Sequence, residues 1–149
     1  MRKISVLALV ALVALAPAAC RTAAPGGLAA GSPAPVDAVQ RFVGAARAQD
    51  TRTMLTLWGT SKGIVDNSDD AEKRMTIFQC FLGHEEARVV TDAPALGDSR
   101  AVTVELRQGA LTRQTRFTTV QGPGARWFVE SFDINALRDF CRPAARSGS

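Results

Sequence analysis

Apolar positions change period halfway along the chain. Val36, Val39, Phe42, Val43 and Ala46 recur at helical spacing, and Pro33 and Pro35 precede them, which predicts an amphipathic helix. Asp50 is placed to cap a second, short helix carrying Met54, Leu57 and Trp58 and stopping at Gly59. A polar loop from Thr60 to Ser68 follows. Asp69 then stands three residues before Glu72, the spacing of a capping box. It opens a third helix with Met75, Phe78 and Leu82 on one side, Ile77 and Phe81 widening the apolar surface, and Gly83 as its stop.

From residue 88 the period shortens. Arg88 to Ala93 holds Val89 and Val90, and Val102, Val104 and Leu106 share one face of Ala101 to Leu106. Thr112 to Val120 places Arg113, Thr115, Phe117 and Thr119 together. In the last run Trp127, Val129 and Ser131 alternate with Phe128, Glu130 and Phe132. The breaks at Pro94 to Asp98, Gln108 to Ala110 and Gln121 to Ala125 read as turns, so the runs predict an antiparallel meander. Helices first and strands afterwards define an α+β domain, with helices covering one sheet face.

The N-terminus follows other rules. Arg2 and Lys3 precede an apolar run from Ile4 to Leu15, interrupted only by Ser5. That run is short for a membrane span and suits a signal peptide over residues 1–19. Ala18 and Ala19 before Cys20 resemble a bacterial lipobox, with Pro17 where such boxes usually carry Leu, and imply a lipid on Cys20 and a bacterial membrane as its partner. Cleavage after Ala16 or Ala18 would instead give a soluble periplasmic or secreted product. Residues 21–35 hold five Ala, three Pro and three Gly, so residues 20–35 read as a flexible tether. Residues 36–142 are long enough for one modest core, and residues 143–149 form a polar tail.

Cysteine and charge usage fit export. With Cys20 lipidated, Cys80 and Cys141 remain of the three cysteines, and an oxidising compartment permits their pairing; two separate buried thiols are the alternative. The net charge of +4 includes Arg2 and Lys3, and without them 16 basic side chains face 14 acidic ones. The cations are scattered rather than concentrated in a phosphate-binding patch, so no nucleic-acid partner is expected.

The order of elements, and Val36 to Gly59 most closely, resembles the NTF2-like members of the cystatin-like superfamily. The resemblance implies helices packed on a curved antiparallel sheet in a cone that can enclose a pocket, over about residues 36–140. Its relatives include enzymes, ligand binders and assembly domains. The strand expected between the early helices is hard to find, Thr60 to Ile64 being a poor substitute.

Chemistry along the chain is sparse. His84, beside Glu85 and Glu86, is the only histidine, and adjacent positions need not converge in a catalytic site. One His and scattered acids do not make a zinc set. Asp66 to Asp70 lacks the glycine and terminal glutamate of an EF-hand. Gly122-Pro123-Gly124 is a turn rather than a phosphate loop, and Ser61, Ser68 and Ser131 have no nucleophile-elbow context. No cofactor, metal or catalytic set is expected. Trp58, Phe117, Trp127, Phe128 and Phe132 are the candidate pocket or interface, with Arg113 or Arg116 as a nearby charge, unless they fill the core. Trp127 and Phe128 point opposite ways on a strand, which leaves one of them for a partner or an open face. Two functions are therefore expected, a non-enzymatic module meeting an envelope protein or its own copy, or a binder of small apolar or anionic molecules, with an enzyme as a distant third.

Overall fold

The computed structural model describes residues 29–65 and 68–142. The expected signal segment, the expected lipobox with Cys20, the first part of the expected tether, Asp66 and Asn67 of the acidic run, and the tail at 143–149 lie outside the described residues. The architecture is α+β: three α-helices and a four-stranded antiparallel sheet that is not closed.

Helix α1 runs Pro35–Arg47. Proline suits its first turn because the missing N–H is unpaired there in any helix. The expected stripe is buried, with Ala38 and Ala45 added to Val39, Phe42, Val43 and Ala46. Helix α2, Thr51–Leu57, is capped as anticipated: the Asp50 carboxylate accepts from Thr53 N–H at 3.0 Å. Trp58 departs from the expectation. It ends α2 in an extended conformation and bridges Val129 in parallel.

The polar loop after it contains a hairpin, β1 Gly59–Thr60 and β2 Gly63–Ile64. These strands are too short to show apolar alternation, which is why Thr60 to Ile64 looked like a poor strand. Helix α3 spans Asp69–Phe81 with Ser68 at its N-cap and no side-chain capping bond, so the capping box centred on Asp69 does not form. Asp69, Asp70 and Glu72 occupy its first turn, where they oppose the helix dipole. Met75 and Leu82 are buried, whereas Ile77 is 54% exposed and does not widen the apolar face.

The sheet is a meander of β3 Glu86–Pro94, β4 Arg100–Gln108, β5 Leu111–Gln121 and β6 Trp127–Phe132. Register places Val102 opposite Phe117 and Val104 opposite Thr115. This face, with Leu106, Thr119 and Val129, meets the helices. The buried hydroxyls are satisfied: Thr115 donates to Asp133 O at 2.9 Å and Thr119 to Arg100 O at 3.3 Å. The opposite face is polar, and across β3 and β4 it carries the ion pairs Arg88–Glu105 and Arg107–Glu86.

Two register shifts bend the sheet. One falls between Val89 and Thr91 on β3. The other sets Thr118 and Thr119 of β5 against Ser131 and Val129 of β6, leaving Glu130 as the extra residue of a bulge. The second shift corrects the faces expected for β6. Phe132 joins Trp127 and Val129 on the helix side, and Phe128 stands on the other.

Ala30, Gly31 and Ser32, just before α1, are part of the folded body. Ser32 exchanges both backbone hydrogen bonds with Trp127, Gly31 N–H donates to Thr56 O at 2.8 Å, and the Arg126 guanidinium donates to Ala30 O and Gly31 O. At the far end Leu137 and Phe140 are buried. Cys80 and Cys141 form a disulfide with their Cα atoms 5.1 Å apart, which ties the end of α3 to that C-terminal segment.

Candidate functional site

The sequence-predicted pocket is filled by its own lining. Phe42, Trp58, Phe78, Phe132 and Phe117 form a closed circuit of ring contacts, with centroids 5.7, 5.0, 4.9, 5.3 and 6.5 Å apart around the loop. These separations are those of packed aromatic pairs. Trp58 is 8% exposed and Phe117 fully buried. Trp127 packs on the same cluster from the edge strand. Phe42 and Phe78 complete the circuit; both sat on predicted helix faces, but no sequence signal joined them to the strand aromatics.

Phe128 was the alternative candidate, an aromatic presented to a partner. It is 2% exposed. Its ring lies where Gly31, Gly59 and Gly122 converge: a Cβ on these glycines would stand 2.9, 2.7 and 2.8 Å from ring atoms. Only residues without a side chain let three backbone segments approach one ring so closely. Phe128 therefore offers no free surface, while Trp127 and Phe132 on the helix-facing side of β6 are half-buried.

Other candidates separate. Glu85 and Glu86 both bind Arg107, at 2.9 and 2.7 Å, so neither addresses His84. The Arg107 hydrogen bond holds the Glu86 carboxyl below its ordinary range. The His84 ring accompanies Leu82 O at 2.7 Å. Burial lowers its pKa, against that hydrogen bond and with the Arg47 charge adding to the fall. Arg113 pairs with Asp139 at 2.8 Å, and Arg116 leaves the helix-facing side for the polar face. Among the described residues no cluster of His, Cys, Asp and Glu has the arrangement of a metal site.

A different site emerges at the other sheet edge. Strand β3 pairs only with β4, so its outer backbone groups face away from the sheet. Between β3 and the second half of α1 runs a groove of about 260 Å³ lined by Val43, Gly44, Arg47, His84, Ala87 and Val89, among others. Gly44 sits inside the helix with open space where its Cβ would be. A helix-interior glycine costs roughly 1 kcal/mol relative to alanine, and no contact among the described residues requires it. Nothing in the hydrophobic pattern marked this groove, because its lining comes from the edges of three elements.

Compared with family models, with curated proteins and with solved structures, the chain matches none. The class it defines is therefore structural: among the described residues, an α+β domain whose candidate aromatics pack on one another and whose strand β3 pairs on one side only. Its function has to be read from its surface.

Proposed function

We propose that the chain is a non-enzymatic protein-interaction module of the bacterial cell envelope, anchored through lipid on Cys20. It holds an extended segment of an envelope protein against β3, over the Gly44 groove. The observation that carries this reading is the glycine of α1 facing open space beside an unpaired strand edge. An added strand satisfies its backbone on such an edge, and side-chain pockets beside the edge give it selectivity.

The bulge after Val89 and the proline at Pro94 blunt the far half of β3, as edge strands commonly are blunted. Regular pairing with an added strand is left to the outer edge of Glu86–Val89, the part that borders the groove. Arg47 at the groove's lower end favours an acidic residue in the partner. Two helices, a short hairpin, a third helix and a four-stranded meander support the NTF2-like reading and its cone. The aromatic circuit takes the space where a small-molecule binder of that shape would hold its ligand.

Gly44→Leu tests the site, since it fills the groove from an exposed helical position. The reading predicts that purified Gly44→Leu folds like the parent and loses association with the envelope protein that copurifies with the parent. A variant that keeps that association at parental strength would refute it.

A further inference from the structure

We infer that the domain meets the lipid surface with one defined end, through Leu96 at the tip of the β3–β4 hairpin. The inference rests on the anchored reading above. Leu96 is 93% exposed, the most exposed large apolar side chain of the described residues. Its loop is ordered by two backbone hydrogen bonds, Ala95 N–H to Ser99 O at 3.0 Å and Ser99 N–H to Leu96 O at 3.2 Å. Gly97 takes the positive φ of 61° that closes the turn. A leucine held in water on an ordered tip has no packing role within the chain.

Topology fixes where that tip lies. Antiparallel pairing brings the end of β3, the start of β4, the end of β5 and the start of β6 to the same end of the sheet. Ser32 bridges Trp127 there, and Arg126 binds Ala30 O and Gly31 O. The chain leading back to Cys20 thus leaves the fold at the Leu96 end. Neighbouring strands lie about 4.8 Å apart, and Ser32 lies beyond β6, so three to four strand spacings, roughly 14–19 Å, separate the hairpin from the exit. Cys20 stands nine positions before Ala29. A chain of nine residues reaches at most about 30 Å, which keeps this end near the surface holding the lipid. At this end exposed Lys62, whose turn meets Pro123, and exposed Asp98 offset each other, and Arg126 is committed to the carbonyls of Ala30 and Gly31, so the contact is apolar rather than a basic patch.

The test uses the lipid-bearing chain purified from its own envelope and mixed with vesicles of phosphatidylcholine and phosphatidylglycerol. An environment-sensitive fluorophore is placed through Leu96→Cys or, at the opposite end of the sheet, through Ala110→Cys. Both positions are exposed, so folding is preserved, and thermal melts check it. The inference expects both chains to float with the vesicles, the Leu96 probe to shift to the blue and be quenched by spin-labelled lipid, and the Ala110 probe to do neither. A floated chain whose Leu96 probe stays aqueous, or whose two probes respond alike, overturns the inference and leaves the anchor standing. A chain that fails to float removes the anchored reading and this inference with it.

Discussion

Gly59 and Gly44 give opposite expectations for the same substitution. A Cβ on Gly59 would lie 2.6 Å from Gly63 O and 2.7 Å from the Phe128 ring. Backbone on one side and a buried ring on the other leave no easy relief, so Gly59→Ala is expected to cost about 1–3 kcal/mol. At Gly44 the added methyl meets nothing, and Gly44→Ala should stabilise by up to about 1 kcal/mol. Urea denaturation of the two variants checks both signs. His84 adds a pH dependence. Its pKa is lowered in the fold, so the unfolded chain takes up the proton first. Its contribution to stability is complete above the ordinary histidine range and is lost as pH falls through the lowered folded value. Stability measured from pH 7 to pH 5 should therefore drop, with a shallower drop in His84→Gln. An identical slope in both proteins would contradict the assignment.

At the scale of elements, the disulfide links the end of α3 covalently to the C-terminal segment. Its cysteines are 61 positions apart, and a closed loop of that size restricts the unfolded chain enough to contribute about 2–4 kcal/mol. The double variant Cys80→Ser, Cys141→Ser should lose that amount in reversible denaturation. The parent, denatured without reductant, should show neither cysteine free. How legible each element was follows from how much of its pattern is local. The α1 stripe and the Asp50 cap were readable because spacing and capping act within a few residues. Strand β6 misled because Trp-Phe-Val-Glu-Ser-Phe fits strict alternation, whereas the Glu130 bulge is set by pairing with a strand six residues away across a turn. The β1–β2 hairpin has two residues per strand, too few to show any period. The Phe128 cage was hidden because Gly31, Gly59 and Gly122 each have an ordinary local reading, as linker, helix stop and turn.

At the scale of the molecule, the aromatic circuit and the glycine cage bury most of the apolar surface of β6, and the β3 edge, which pairs on one side only among the described residues, is with its groove the proposed recognition surface. The site was illegible in the sequence for the same reason the aromatics were prominent there: large apolar residues are conspicuous in a chain, while an empty space beside a glycine is a property of the assembled fold. The most direct test places a photo-crosslinking side chain at Val90 on the exposed edge, or at Thr118 on the polar sheet face, and irradiates cells producing each chain. The account predicts an adduct with one envelope protein from Val90, mapped to an extended segment of that protein, absent from Thr118 and lost when Gly44→Leu fills the groove. Adducts that form equally from both positions, that survive Gly44→Leu, or that join only two copies of this chain would contradict it.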